Sequence, residues 1–204
     1  MFPLPRIYAI VDSTHLPQGV SPLQFAEELV DGGITFLQYR NKSGHTRQML
    51  DEARTLRDFV GTRAKLIMND RTDLCLAADF DGVHLGQDDL SPQAARTVIG
   101  NELCLGLSTH NPEQLRAADL AFVDYIAIGP VFSTATKSNP DPVIGVEGVG
   151  LARSLTRKPL VAIGGITRQN CRSVIEAGAD SVAVISDLMV EPRKSAEAFL
   201  RVLR

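Results

Sequence analysis

LVAIGGITRQNCRSVIEAGADSVAVIS, residues 160–186, carries the pattern on which the fold turns. A short apolar run, LVAI, leads into a glycine pair. A helix-like stretch follows (168–180), with apolar residues three and four apart and a stop signal at Gly178. A second β-branched run, SVAVIS (181–186), closes the unit. Strand, helix, strand in about 27 residues is a parallel βαβ unit, because only a crossover helix returns the chain for parallel pairing.

The same rhythm extends outward in both directions. Apolar runs recur at IYAIVD (7–12), ITFLQYR (34–40), KLIMND (65–70), GVHLG (82–86), LCLGLS (103–108) and YIAIGP (125–130). Helix-like stretches lie between them, as in PLQFAEELVDGG (22–33) and RQMLDEARTLRDFVG (47–61), with stops at Gly32-Gly33 and Gly61. Near-continuous apolar strands alternating with helices predict a parallel sheet covered on its faces. Eight such units in 204 residues favour an α/β fold of the (β/α)8 TIM-barrel type, a single domain over residues 1–204. One segment breaks the rhythm: GPVFSTATKSNPDPVIGVEG (129–148) is rich in Pro, Gly, Ser and Thr, and reads as a long active-site loop.

Composition narrows the function. The chain is 44% hydrophobic and 22% charged, with a net charge of −3, so no global field favours nucleic acid or an anionic membrane. No window approaches 18 consecutive apolar residues, and the N-terminus lacks the features of a signal peptide. Cys75, Cys104 and Cys171 are odd in number and form no CxxC pair; Cys75 and Cys104, among apolar neighbours, read as small core residues, and a reducing compartment fits. The expectation is a cytoplasmic protein with no nucleic-acid or membrane partner; homo-oligomerisation stays open.

In a (β/α)8 barrel the site is built at the carboxyl ends of the strands. The second run ends in Gln38, Tyr39 and Arg40, followed by Asn41 and Lys42. The third ends in Asn69 and Asp70, and the fourth contains His84 and leads to Asp88-Asp89. The fifth ends in Ser108, and the sixth leads to Thr134, Thr136 and Lys137. The glycine pair after the seventh, AIGGIT, opens toward Asn170, and Ser186 follows the eighth. Glycines let backbone amides approach an anion, so the Gly164-Gly165 corner with Ser186 reads as a phosphate site. Arg40, Lys42 and Lys137 converge with Asp70 and Asp89 as a diphosphate-plus-metal arrangement, since Mg²⁺ takes one or two carboxylates plus phosphate oxygens. Each has a plainer reading: Asn69-Asp70 starts a turn, DDLSP (88–92) caps a helix, and His84 is a hydrogen-bonded core residue.

Taken together, QYRNK (38–42), MNDRTD (68–73), GVHLGQDDL (82–90), GLSTH (106–110), GPVFSTATK (129–137), AIGGIT (162–167) and GADSVAVIS (178–186) resemble the thiamine phosphate synthases over about residues 6–190. The resemblance implies a (β/α)8 transferase that joins hydroxymethylpyrimidine diphosphate to hydroxyethylthiazole phosphate, plain or carboxylated. Pyrophosphate leaves with the help of Mg²⁺. It implies Asp70 and Asp89 as Mg²⁺ ligands, with Asn69, Arg40, Lys42, Ser108 and Lys137 around the diphosphate. Tyr8, Gln38 and His84 would line the pyrimidine pocket; Thr134, Thr136, Gly165, Ile185 and Ser186 would receive the thiazole phosphate. Two positions depart from the family pattern, where QLREK is expected: Tyr39 and Asn41 stand for Leu and Glu. GVEGVG (145–150) is also unusual for the family.

Three rivals fit less well. A thiazole tautomerase of the same superfamily needs no acidic pair and is expected to carry a histidine where this chain has Pro130. A non-catalytic phosphate-metabolite-binding barrel has no use for acidic and basic strand ends together. A phosphosugar isomerase or aldolase needs a Schiff-base Lys or a Glu/His pair inside the barrel, and neither stands out.

Overall fold

The apolar runs become eight parallel strands that close on themselves in the order β1 to β8. The computed structural model describes residues 4–134 and 141–204. The chain runs β1 (Ile7–Asp12), α1 (Pro22–Asp31), β2 (Phe36–Arg40), α2 (Thr46–Val60), β3 (Lys65–Asn69), α3 (Thr72–Ala77), β4 (Gly82–Leu85) and α4 (Pro92–Ile99). It continues β5 (Cys104–Thr109), α5 (Pro112–Leu120), β6 (Tyr125–Ile128), α6 (Gly145–Leu155), β7 (Leu160–Ile163), α7 (Cys171–Glu176), β8 (Ser181–Val184) and α8 (Pro192–Val202), with one 3₁₀ turn at Ser186–Leu188. The barrel closes where β1 pairs with β8, Ile7 opposite Val182.

Alternation along each strand divides the apolar residues into two cores. One set faces the helices and includes Phe25, Leu29, Leu56, Val83, Leu105, Ile126 and Phe199, all buried. The other fills the barrel: Tyr8, Ile10, Phe36, Ile67, Cys104, Tyr125, Ala127, Val161 and Ala183. Burying each large apolar side chain contributes about 1.5–3 kcal/mol, so the outer core is the main source of stability. The inner set is mixed with polar residues and grades upward into the site. Glycine makes room for it at one position in particular. A Cβ on Gly106 would lie 2.1 Å from Cζ of Tyr125 and 2.5 Å from Nδ1 of His84.

Helix starts follow local chemistry. Ser21 and Gln24 form a reciprocal capping box on α1, and Ser91 and Asn111 accept from Ala94 and Gln114 at the starts of α4 and α5. Each is followed by a proline in the first turn, where the missing N–H costs nothing. Two expectations on extent need correction. The helical pattern over 168–180 folds as helix only at Cys171–Glu176, because the Asn170 side chain accepts from the Thr167 amide at 2.8 Å and closes a turn first. Asn170 is therefore the N-cap of α7, not a residue within it. The 129–148 segment also ends early, since α6 begins at Gly145. Three glycines among its first six residues (Gly145, Gly148, Gly150) hide that helix from a propensity reading.

Candidate active site

Five polar side chains from five strands cross the barrel interior below its carboxyl-terminal mouth. Gln38 Nε2 donates to the Tyr8 hydroxyl at 2.7 Å, and Tyr8 and Tyr125 hydroxyls meet at 3.0 Å. The Tyr125 hydroxyl lies 2.9 Å from His84 Nδ1, and His84 Nε2 lies 2.8 Å from Ser108 Oγ. Tyr8, Tyr125, Gln38 and His84 are all buried. Burial holds His84 neutral, lowering its pKa to about 4, although the Asp89 charge works against this. Burial likewise raises both tyrosines far above their usual range. The floor of the mouth is thus polar but uncharged, and His84 has both ring nitrogens engaged.

Among the described residues of the mouth, charge appears at the rim. Asp70 has φ +62, a left-handed conformation that Asp tolerates better than most residues. The Arg71 amide donates back to the Asn69 carbonyl at 2.8 Å, so the turn expected of an Asn-Asp pair is present. It aims the Asp70 carboxylate, which accepts from Asn69 Nδ2 at 2.6 Å and from Lys42 Nζ. Asp89 does not cap α4; Ser91 does. Its carboxylate accepts from the Gly86 amide at 2.7 Å, and loss of hydration together with the facing Asp70 carboxyl pushes its pKa up, while Lys42 pulls it down. Two carboxyls from adjacent strands therefore oppose each other beside Lys42. That arrangement suits a hard divalent cation, which replaces repulsion with shared coordination. Among the described residues no group of three or more His, Cys, Asp or Glu side chains gathers around a metal position, so the remaining ligands of a cation here would be water and substrate oxygens.

Arg40 is placed by a residue that the strand-end inventory passed over. Asp12, fully buried at the end of β1, bonds Arg40 Nη1 at 2.5 Å and accepts from the Thr14 hydroxyl at 2.7 Å. His15 Nδ1 lies 3.1 Å from the same carboxylate. The departures at Tyr39 and Asn41 explain each other. The Tyr39 hydroxyl donates to Glu52 of α2 at 2.5 Å, and Asn41 Nδ2 bridges Tyr39 and Glu52 at 3.1 and 3.2 Å. These two residues face the helix layer while Gln38 and Arg40 face the mouth.

At the opposite side of the mouth, Gly164 and Gly165 have φ +101 and +63. A Cβ on Gly165 would lie 2.5 Å from the Ser133 carbonyl oxygen and 2.8 Å from Cβ of Phe132, so the glycine seats the start of the long loop. The loop is held from another side by His110, whose Nδ1 lies 2.7 Å from the Gly129 carbonyl and 3.4 Å from Asp141. Ser186 is exposed where the 3₁₀ turn begins, next to Asp187, which takes Arg168 at 3.0 Å. Thr134 and Ile185 lie partly buried at this corner's two segments; Thr136 and Lys137 lie outside the described residues.

The structure thus brings Tyr8, Gln38, His84 and Ser108 into one network, and Lys42, Asn69, Asp70 and Asp89 into another. Sequence reading missed Asp12, Tyr125 and Gln87, whose Nε2 donates to the Ser108 carbonyl at 2.6 Å. Asp12 was open to the strand-end rule; Tyr125 begins its strand, where that rule does not look.

Comparison with known proteins bears on this geometry. A family model described as thiamine monophosphate synthase matches residues 7–188. A Koribacter versatilis protein named thiamine-phosphate synthase is 59% identical, covering 98% of this chain and 96% of its own. One of the same name from Chloroflexus aurantiacus is 42% identical over 95% and 89%. The solved thiamine phosphate pyrophosphorylase from Pyrococcus furiosus superposes with a TM-score of 0.86 at 34% identity, over 97% of this chain and 95% of that one.

Proposed function

The chain belongs to the thiamine monophosphate synthase family, transferases of thiamine biosynthesis, and from that premise we propose how this mouth makes thiamine phosphate. The observation that carries the reading is the opposed pair Asp70 and Asp89 beside Lys42, set above an uncharged polar floor. The aminopyrimidine sits on the floor formed by Tyr8, Gln38 and His84; Ser108, expected beside the diphosphate, also borders this floor through its 2.8 Å contact with His84. Its diphosphate lies among Arg40, Lys42, Asn69 and Lys137. Asp70 and Asp89 would hold Mg²⁺, which would supply positive charge beside the departing diphosphate. Lys42, paired with Asp70 in this structure, also faces the diphosphate and adds a mobile positive charge to it.

As the pyrimidine C–O bond breaks, its electron pair leaves with the diphosphate, and the ring amino group stabilises the methylene cation. The thiazole nitrogen then supplies the pair for the new C–N bond. No protein base is required, which agrees with a His84 that is neutral and engaged at both nitrogens. The thiazole phosphate, with or without its carboxylate, rests on Thr134, Thr136, Gly165, Ile185 and Ser186, and the 129–148 segment excludes water from the cation. Three buried, free cysteines support a cytoplasmic setting, and no helix among the described residues is long and apolar enough to cross a membrane.

The facing carboxylates and Pro130 favour this over a thiazole tautomerase, and a non-catalytic phosphate-binding barrel gains nothing from them. The test is a reaction of the purified protein with both substrates, with Mg²⁺ or with chelator, following thiamine phosphate. Product only with Mg²⁺ is expected. No product under either condition overturns the reading; equal product under both removes the metal.

A further inference from the structure

The five-residue chain across the barrel has a direction. Gln38 Nε2 can only donate, so the Tyr8 oxygen accepts from it and passes its own hydrogen to the Tyr125 oxygen. Tyr125 in turn donates to His84 Nδ1. A neutral imidazole accepting at Nδ1 carries its hydrogen on Nε2, which therefore donates to Ser108 Oγ. Ser108, having accepted, has its hydroxyl hydrogen left to give outward. Among the described residues nothing along the line offers a second exit: Tyr8 and Tyr125 are each 1% exposed, and both keep their hydrogens because burial disfavours their ionised forms.

The two ends are consequently linked. With Nε2 turned inward, the Gln38 carbonyl oxygen has no partner among the described residues and is left to accept, while Ser108 is left to donate. Reversing the chain inverts both ends at once: Ser108 would donate inward and Gln38 would show its amide hydrogens. The ends cannot be set independently.

We propose that this wire makes Tyr125 and Tyr8 positioning residues that force Ser108 to be a donor and Gln38 an acceptor, and so select an aminopyrimidine over its oxo analogue. This rests on the pyrimidine site proposed above. An aminopyrimidine offers amino hydrogens to an acceptor and a ring nitrogen to a donor. In the oxo tautomer the exocyclic group becomes an acceptor and the adjacent ring nitrogen carries hydrogen, so the preset ends meet like groups. A buried donor or acceptor left facing its like costs more than a missing contact. Gly106 belongs to the same device, since a side chain there would displace both Tyr125 and His84.

Nitrogen NMR of the full chain labelled in histidine reads the direction without catalysis; the chain has four histidines, and His84→Asn assigns the signal. The expected state is the Nε2–H tautomer, unprotonated at Nδ1; an Nδ1–H tautomer overturns the proposal. The second arm compares kcat/KM for pyrimidine diphosphate and its 4-oxo analogue. Tyr125→Phe should reduce the preference for the amino form by roughly tenfold, the scale of one hydrogen bond, with KM for the thiazole phosphate unchanged. An unchanged preference in a variant that unfolds at the wild-type temperature also overturns it. Failure of the wild-type protein to form thiamine phosphate would instead count against the proposed function and leave the tautomer result standing.

Discussion

The two ends of the barrel use aspartate in opposite ways. At the amino-terminal end, Asp81, Asp124 and Asp180 each stand immediately before an even-numbered strand. Each accepts from an amide at the start of the preceding strand: Leu66 at 2.9 Å, Leu105 at 2.7 Å and Leu160 at 2.8 Å. Each also pairs with an arginine from the helix that leads into that preceding strand, namely Arg57 of α2, Arg96 of α4 and Arg153 of α6. The same clamp is built three times. At the mouth, Asp70 and Asp89 pair with no arginine among the described residues and point at each other. An open depression of about 1100 Å³ lies at the clamped end among Asp119, Asp124, Arg153 and Lys158, yet each of these four side chains already has a hydrogen-bond partner. Depth therefore does not locate chemistry here; unresolved charge does.

The sharpest way to break this contrast is to remove one carboxylate from each end. Asp70→Asn keeps a residue that accepts positive φ and removes a repulsion. Turnover should fall at least 10²-fold while the unfolding temperature stays level or rises. Near-normal turnover would make Asp70 another structural aspartate. Next in size, Lys137→Ala should lower kcat on the order of 10²-fold if Lys137 steadies the leaving diphosphate; a change confined to KM would show that it only binds.

At the clamped end the effect should move from rate to stability. Asp124→Ala leaves the Leu105 amide and Nη2 of Arg96 without their acceptor, at a cost of about 1–3 kcal/mol. For a domain this size that is roughly 2–10 °C in Tm, with turnover at 25 °C within about twofold of wild type. A large loss of activity without a loss of Tm would mean that the two ends are coupled.

How much of this was legible beforehand follows from the same geometry. Strand ends such as Lys42, Asp70 and Ser108 were readable because the fold ties them to one mouth, and their residue types say what they attract. Asp12 obeys the same rule but passes unnoticed, because its meaning lies in Arg40, which is 28 residues away and becomes its neighbour only through the β1–β2 register. Tyr125 was unreadable for another reason. It enters the barrel at the level of Gly106, so its role depends on a side chain that Gly106 lacks. The clamps are hidden similarly: DG, DY and DS before a strand look like turn ends until Arg57, Arg96 and Arg153 are placed beside them.

The smallest effect is also the most direct measure of the contrast. Hydration loss and the facing Asp70 hold the Asp89 carboxyl above its ordinary 3.8. The folded chain then keeps that proton longer than the unfolded one, so stability falls as pH rises from about 3.8 through the raised value and stays lower above it. Asp81 has the opposite sign. Burial opposes its charge, but the Leu66 amide, Lys65 and Arg57 prevail and depress its pKa below 3.8. Its contribution is present above 3.8 and is lost as pH falls through the depressed value. Urea unfolding across this acid-to-neutral range should therefore show Asp89→Asn gaining on wild type as pH rises, and Asp81→Asn losing. Mg²⁺ added to wild type near neutral pH should raise its stability and remove most of the Asp89→Asn advantage, because a cation between the carboxylates relieves the same repulsion. Parallel pH curves for wild type and Asp89→Asn, with no response to Mg²⁺, would mean that the two carboxylates do not face each other in solution, and the contrast between the barrel's ends would fail at the mouth.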